Sequence, residues 1–334
     1  MIITKTPIRV SLFGGGTDYP VYFEKYGGAC LNATIDKYTL IYARWLPPYF
    51  PHKYHIVWSR IENVQSIDEI HHPAVRECLR YLNIKDGLVI NHDGDVPAAS
   101  GMGTSSSFTV GLLHALRALN GEKPSKVMLG REAIYVEQQL IKNKVGNQDQ
   151  LASAIGGLNV FEFNETEHCP PDPEKWWGCQ YRKIEISDER RHELEDHLML
   201  FFTGFPHESS QIANTYNFDS GILREMHQMV FEAEGRLYIG KIAEIGKLLH
   251  HTWELKKKLS TAISTPYIAF LYDKARNAGA IGGKLLGAGG GGFLLIFCEP
   301  DKQESVKEAM KGLLQVPFKF ENKGTHIIGN GNAS

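Results

Sequence analysis

Residues 97–112 read PAASGMGTSSSFTVGL: two glycines flank a methionine, four consecutive hydroxyl residues follow, and an apolar run with helical spacing comes last. Gly101 and Gly103 allow the backbone to approach a ligand closely. Thr104 to Ser107 are residues that cap helices and leave backbone N–H groups facing outward. Because a helix N-terminus carries partial positive charge and unpaired donors, the stretch predicts a phosphate-binding loop. The alternative is an ordinary turn before a helix.

Two common phosphate-binding patterns do not fit this stretch. A Walker A loop requires Gly-Lys-Ser/Thr, and no lysine follows Gly103. The dinucleotide-binding pattern GxGxxG fails because Ser106 stands where the third glycine belongs. A phosphate loop of another type is therefore needed, and other segments must supply its context.

An earlier segment, residues 7–20, reads PIRVSLFGGGTDYP. Ile8, Val10 and Leu12 alternate with polar residues, which predicts a half-buried strand that ends at three glycines. Asp18 follows these glycines, where its carboxylate would accept hydrogen bonds from the hydroxyl groups of a polar ligand. The alternative is that Asp18 caps a turn.

A later segment, residues 282–298, reads GGKLLGAGGGGFLLIFC. Four successive glycines before an apolar run predict a tight loop that leads into a buried strand. Ordering four glycines is entropically unfavourable, which indicates close contact with a ligand or with another loop. A simple hairpin loop is the alternative. Helical spacing elsewhere predicts helices over residues 106–119 and 131–142.

These segments, in this order, resemble the GHMP kinase superfamily of galactokinase, homoserine kinase, mevalonate kinase and phosphomevalonate kinase. Residues 7–10, Pro-Ile-Arg-Val, match the family's first motif, P-x-R-V. Residues 97–107 match its second motif, P-x-x-x-G-L-G-S-S-A-A, with Met in place of Leu and Thr-Ser-Ser-Ser in place of Ser-Ser-Ala-Ala. Residues 286–293 match its glycine-rich motif. The resemblance runs from residue 5 to about residue 300. It implies an α+β fold of two domains, residues 1–188 and 189–334, like ribosomal protein S5 domain 2 and ferredoxin respectively, with ATP between them.

The resemblance also implies which residues bind the substrates. The ATP phosphates would contact the loop before the predicted helix, supported by the glycine-rich loop, and a sugar would contact the first glycine motif. The residues concerned are Pro97, Gly101, Met102, Gly103, Thr104, Ser105 and Ser106 for ATP, Gly287, Gly289, Gly290 and Gly291 for support, and Gly15, Gly16, Thr17 and Asp18 for the sugar.

The catalytic residues follow from residues 145–157, VGNQDQLASAIGG, which match the G-x-x-D-Q context of the family's catalytic aspartate. Asp149 would accept the proton of the sugar hydroxyl or orient it, and Arg9 would keep Asp149 ionised and offset phosphate charge. Glu137 and the hydroxyl of Ser105 would bind Mg²⁺, which prefers one or two carboxylates plus phosphates and waters. From the residues alone, a solvated helix face is the favoured interpretation of Glu137, and only the resemblance reverses that preference. The alternative for Arg9 is a surface strand cation.

The acceptor is indicated by a departure from galactokinase. Gly15 and Gly16 replace the Glu and His of its G-E-H-T-D-Y, while Asp18 keeps its place, so galactose is disfavoured. The GGGTD signature is similar to heptose 7-phosphate kinases, which implies phosphorylation of D-glycero-D-manno-heptose 7-phosphate to the 1,7-bisphosphate. Fucokinase-like members have a similar signature, and a non-catalytic sugar sensor is a further alternative. Lys37, Arg44, Arg76 and Lys284 are candidates for gripping a sugar phosphate.

Composition indicates the number of domains, the partners and the compartment to expect for this protein. A chain of 334 residues with 43% hydrophobic content predicts two domains, and a net charge of −2 gives no reason to expect nucleic acid or an anionic membrane as partner. Five cysteines without a CxxC pair are typical of reduced thiols, and no leader or long apolar run is evident, which predicts a cytoplasmic protein. Lys256-Lys257-Lys258 is interpreted as a solvated helix face. The oligomeric state is left open.

Overall fold

The computed structural model describes residues 1–164, 178–204, 212 and 215–331. The described strands form two β-sheets, of eight and four strands, and helices pack on both. The α+β class predicted from the sequence is confirmed.

The larger sheet carries the first glycine motif at the end of one of its central strands. In chain order its strands are β1 (Ile2–Phe13), β2 (Gly28–Trp45), β3 (Tyr54–Val57), β4 (Ile61–Val64), β5 (Leu88–Gly94), β6 (Leu158–Phe163), β7 (Cys179–Lys183) and β12 (His326–Asn330). They pair in the order β12-β1-β2-β5-β3-β4, and β6 pairs with both β2 and β7. Strand β3 runs parallel to β5.

Five helices accompany the larger sheet: α1 (Pro20–Tyr26), α2 (Pro73–Tyr81), α3 (Thr104–Leu119), α4 (Lys126–Tyr135) and α5 (Gln148–Ile155). Helix α3 begins at the first hydroxyl residue, two residues before the predicted start. Helix α4 begins earlier than predicted and continues into a π-helical turn, Val136–Leu140, where the sequence predicts an α-helix to residue 142. Such π-turns occur frequently at functional sites.

Strand β1 is buried on both faces in its second half. The alternation of Ile8, Val10 and Leu12 predicts a half-buried strand, yet Arg9 and Ser11 on the opposite face are 3% and 5% exposed. Helix α5 covers this face, because Arg9 contacts Asp149 and Ser11 contacts Gln148. The interpretation of Arg9 as a surface cation is therefore wrong.

The smaller sheet has the order β11-β8-β10-β9. Its strands are β8 (Leu198–Phe202), β9 (Gly282–Leu285), β10 (Phe293–Phe297) and β11 (Leu314–Gln315). Among the described residues, the helices that accompany it include α6 (Asp188–Asp196), α7 (Ser220–Tyr238), α8 (Ile242–Lys257), α9 (Pro266–Asn277) and α10 (Gln303–Ala309). Strand β10 is fully buried, as the apolar run predicts.

The chain ends by returning to the larger sheet, where β12 pairs antiparallel with β1. The division into residues 1–188 and 189–334 stays a prediction, and this last strand lies with the first of the two segments. One hydrophobic core joins the sheets, because Val10 and Leu12 of β1 belong to the same buried cluster as Trp253 of α8 and Leu294 of β10. A second cluster fills the space under α2 and α3.

Two features of the structure are relevant to the reduced thiols and the cytoplasmic location predicted from composition. The described cysteines, Cys30, Cys78, Cys179 and Cys298, are free thiols. Within the described ranges, no helix combines the length and the apolar character needed to cross a membrane.

The glycine-rich loop touches the predicted phosphate loop directly. A Cβ on Gly287 would lie 2.4 Å from Cα of Gly101, and a Cβ on Gly101 would lie 2.6 Å from the carbonyl oxygen of Leu286. The two glycines have φ angles of 70° and 80°. The loop also joins the antiparallel strands β9 and β10, so both sequence interpretations, a hairpin and a loop contact, hold.

We expect Gly287→Ala to lower the free energy of unfolding more than Gly121→Ala does. Both positions have left-handed backbone, which disfavours alanine by roughly 1–2 kcal/mol. A Cβ at Gly121 meets nothing within 4 Å, whereas at Gly287 it meets the backbone of Gly101, which adds on the order of 1–3 kcal/mol. Urea denaturation of the two variants measures the difference. Equal losses would show that the loop contact adjusts freely.

Candidate active site

One cavity collects most of the residues singled out in the sequence. It lies between the end of β1, the start of α3, the start of α5 and the glycine-rich loop. Its walls include Arg9, Gly15, Gly16, Asp18, Gly101, Gly103, Thr104, Ser105, Ser106, Glu137, Asp149 and Gly287. Segments that are distant along the chain therefore meet at one place, as the motif order predicts.

Arg9 and Asp149 form a two-pronged ion pair in this cavity. The Arg9 Nε and Nη2 atoms donate to the two carboxylate oxygens of Asp149 at 2.7 and 2.6 Å. The third prong, Nη1, donates to the carbonyl oxygen of Gly101 at 2.8 Å. This geometry fixes the plane of the carboxylate, and each of its oxygens retains a lone pair for a further donor. The Asp149 side chain is 22% exposed and faces the cavity.

The start of α3 faces the same cavity. Gly103 is the N-cap residue, with a φ of 75° and no side-chain cap, so the sequence prediction that a hydroxyl residue caps this helix is wrong. Thr104, Ser105 and Ser106 form the first helical turn, whose backbone N–H groups have no partner within the helix. These donors and the helix dipole make the turn suitable for a phosphate group.

Several predicted binding residues act through the backbone or lie off the cavity. Met102 is fully buried in the core, and its carbonyl oxygen accepts from the Arg9 N–H at 3.2 Å. Pro97 is exposed. The Thr17 hydroxyl lies 2.8 Å from the carbonyl oxygens of Gly14 and Ala29, which ties the glycine turn to β2. Their assignment to ligand binding stays a prediction.

The remaining glycines of the glycine-rich loop do not line the cavity. The N–H of Gly290 donates to the carbonyl oxygen of Ile263 at 2.9 Å, and a Cβ on Gly289 would lie 2.6 Å from Cα of Ile263. Gly291 is buried. The part of the loop at the cavity is Gly287 and Ala288.

Glu137 is buried in the π-helical turn and points at the start of α3. Its Oε2 accepts from Ser106 Oγ at 2.9 Å and from Gln150 Nε2 at 2.6 Å, while Oε1 is buried without a partner among the described residues. Burial raises the pKa of this carboxyl to about 7. A solvated helix face is therefore excluded.

This unpartnered carboxylate oxygen fits a cation. The described residues contain no group of three or more His, Cys, Asp or Glu side chains that would hold a metal by themselves. A single carboxylate suits Mg²⁺, which takes its other ligands from phosphates and water. Ser106 is the hydroxyl in contact with Glu137, and Ser105 lies beside it on the cavity wall, so its assignment as a metal ligand stays a prediction.

Asp18 also lines the cavity and is buried beside the glycine turn. Its Oδ1 accepts from the N–H of Gly16 at 3.0 Å and its Oδ2 from the N–H of Gln148 at 3.3 Å. Burial, and secondly the charge of Asp149, raise its pKa to about 6. A Cβ on Gly146 would lie 1.8 Å from Oδ2, so the G-x-x-D-Q glycine also makes room for Asp18. Asp18 thus caps the turn and faces the cavity as well.

Of the four cations considered for a sugar phosphate, Lys284 is on the cavity wall. The other three bond to their own surroundings: Lys37 to Asp36, Arg44 to the carbonyl oxygen of Trp45, and Arg76 to Glu77.

Lys256 is a cavity residue that the sequence interpretation missed. It is 4% exposed, so its assignment to a solvated helix face is wrong. The signal was present, because Leu249, Trp253 and Lys256 recur at helical spacing and share the buried face of α8. Tyr216, just before α7, also lines the cavity and was not predicted.

Two family models match the chain. The model for the GHMP kinases N terminal domain matches residues 69–157, and the model described as GHMP kinases C terminal matches residues 233–314, which together make up just over half of the chain. The first contains the α3 loop, Glu137 and Asp149, and the second contains Lys256 and the glycine-rich loop.

Relatives agree with these models. The chain is 28% identical to the D-glycero-alpha-D-manno-heptose 7-phosphate kinase of Campylobacter jejuni over 97% of both chains. It is also 24% identical to the L-fucokinase/L-fucose-1-P guanylyltransferase of Bacteroides fragilis. That match covers 91% of this chain and 35% of the relative.

A crystal structure titled as a D-glycero-D-manno-heptose 1-phosphate kinase from Bacteroides thetaiotaomicron has the same fold. It superposes with a TM-score of 0.80 at 24% identity and covers 99% of this chain and 100% of its own. The motif order, the shared cavity and these matches lead to one conclusion: the chain belongs to the GHMP kinase superfamily and is a phosphotransferase with an alcohol group as acceptor.

Proposed function

We propose that this protein is an ATP-dependent sugar 1-kinase that converts D-glycero-D-manno-heptose 7-phosphate to the 1,7-bisphosphate. The observation that carries the proposal is the Arg9–Asp149 pair, which faces the uncapped start of α3 across one cavity. The similarity to the Campylobacter heptose kinase over nearly the whole chain supports the acceptor. The product would serve the synthesis of a nucleotide-activated heptose for surface glycans. The reaction belongs in the cytoplasm, the compartment predicted from the cysteine usage.

In the proposed reaction the acceptor hydroxyl lies between Asp149 and the terminal phosphate of ATP. Its oxygen forms the new bond to phosphorus as the bond to the ADP oxygen breaks. The proton passes to a carboxylate oxygen of Asp149, whose position Arg9 fixes. Arg9 would also stabilise the negative charge that develops on the transferred group, since the residue is 3% exposed and acts in a water-poor site.

The start of α3 would bind the ATP phosphates through backbone donors, with the glycine-rich loop closing the other side. Glu137 and a hydroxyl at the start of α3 would hold Mg²⁺, with Ser105 or Ser106 as the source of the hydroxyl. The metal, when bound, neutralises charge on the β- and γ-phosphates. Ser106 and Gln150 orient the carboxylate of Glu137 for that role.

Asp18 and the glycine turn would bind the sugar. Gly15 and Gly16 line the cavity, so their backbone would lie against the acceptor. Asp18 would accept hydrogen bonds from sugar hydroxyls. The likeness to a fucokinase supports the second candidate, a free-sugar 1-kinase with the same catalytic residues.

ADP release with Mg-ATP tests the acceptor directly. We expect turnover with D-glycero-D-manno-heptose 7-phosphate and little with mannose, fucose, galactose or unphosphorylated heptose. Turnover with a free sugar in preference to the phosphosugar would replace the proposal by the second candidate. Binding of ATP without phosphorylation of any of these acceptors would indicate a sensor instead of an enzyme.

We expect Asp149→Asn to lower kcat by about 10²- to 10⁴-fold, the usual contribution of a positioned acid or base. The amide cannot accept a proton, but it retains the shape of the side chain. Steady-state kinetics measure the loss, and ATP affinity and the melting temperature serve as controls for an intact site. An unchanged kcat would remove Asp149 from the mechanism.

We expect Glu137→Gln to raise the Mg²⁺ concentration needed for half-maximal activity, because the buried oxygen without a partner loses its charge. A titration of activity with Mg²⁺ at saturating ATP measures the shift. Glu308→Gln is the matched control, since Glu308 is an exposed carboxylate paired with Lys311 far along the chain. Identical metal titrations for the wild type and Glu137→Gln would contradict the metal assignment.

A further inference from the structure

Two buried lysines meet at the cavity wall: Lys256 from the end of α8 and Lys284 from β9. They are 4% and 2% exposed. Lys256 Nζ donates to the carbonyl oxygens of Leu285 and Gly287, and Lys284 Nζ donates to the carbonyl oxygen of Leu12 at 3.1 Å. Lysine is almost never fully buried unless its charge is paired, so the two side chains need an explanation.

Neither ammonium group has a carboxylate within 4.0 Å among the residues that the structure describes. Burial lowers the pKa of Lys284 to about 8, and burial together with the charge of Lys284 lowers the pKa of Lys256 well below its usual range. Burial thus disfavours the charged form of both lysines, and an anion bound in the cavity would favour it.

The contact of Lys284 places it near the glycine turn that is proposed to bind the sugar. The Lys284 ammonium group bonds to Leu12, two residues before the glycine turn. Arg9 and Asp18 are among the charged groups that act on both lysines. Asp18 is the residue that faces the proposed sugar.

We propose that Lys256 and Lys284 bind the phosphate that the acceptor sugar already carries, and thereby select a phosphorylated sugar over its unphosphorylated counterpart. The inference rests on the proposed function and assigns the selectivity for the phosphosugar to these two residues. Lys284 was one of four sequence candidates, and Lys256 is assigned by the structure alone.

Hydrogen-bonding capacity agrees with this role. An ammonium group has three donors. Lys256 uses two of them on carbonyl oxygens and Lys284 uses one, so three of the six remain for phosphate oxygens. The carbonyl contacts also hold both ammonium groups in place before the acceptor arrives, which reduces the entropy lost on binding.

The test compares kcat/KM for D-glycero-D-manno-heptose 7-phosphate with kcat/KM for unphosphorylated heptose in Lys256→Met and Lys284→Met. Loss of one charge-assisted contact to phosphate should lower kcat/KM for the phosphosugar by on the order of 10- to 100-fold and leave kcat/KM for heptose nearly unchanged. Lys258→Met is the matched control, because Lys258 is exposed and lies two residues after Lys256 in the sequence. It should leave both values unchanged.

Other outcomes distinguish the proposed role of the two lysines from the proposed function of the protein. A variant that lowers kcat/KM equally for both acceptors would show that the lysines act on ATP or on loop structure, and would overturn the inference while the proposed function stands. A wild-type enzyme that prefers free heptose would overturn both. Where a methionine variant fails to fold, glutamine at the same position retains a donor for the carbonyl oxygens without the charge, and the same ratio is measured.

Discussion

The ion pair between Arg9 and Asp149 links residues 140 positions apart and sets the geometry of the whole cavity. Arg9 comes from β1, Asp149 from the start of α5, and the third guanidinium prong reaches Gly101 in the loop before α3. One planar cation therefore positions the proposed catalytic carboxylate and the proposed phosphate loop relative to each other. A lysine could not make three directed contacts of this kind, because its ammonium group lacks the rigid fork.

Around this pair the molecule buries two carboxyl groups and two lysines. Glu137 and Asp18 have raised pKa values because they are removed from water, and Lys256 and Lys284 have lowered ones for the same reason. Ionisable groups with perturbed pKa values cluster at functional sites, where a bound ligand can supply an opposite charge. Glu137, the proposed metal ligand, lines the same cavity as the two lysines, Asp18 and the Arg9–Asp149 pair.

Prediction from sequence succeeded for backbone features and was less reliable for individual side chains. The glycine motifs, the start of α3 near its hydroxyl run and the buried strand β10 follow from short-range patterns. Two features were not predicted: the glycine N-cap at Gly103, which lacks a capping side chain, and the π-helical turn at Glu137. Both depend on how α3 and α4 pack. Thr17 shows the same limit: its motif suggests a ligand contact, but its hydroxyl bonds to Gly14 and Ala29.

The sequence by itself determined the types of element from hydrophobic period, and the family, the α+β class and the segments that form the cavity from the resemblance of its motifs, because period and motif order are properties of the chain. The tertiary structure decided which side chain of each segment faces the cavity. Successive helical residues differ by about 100° in direction, so the packing of α8 alone buries Lys256 and leaves Lys258 exposed. Likewise, the packing of α3 against the π-turn directs Ser106 to Glu137 and leaves Ser105 exposed beside it.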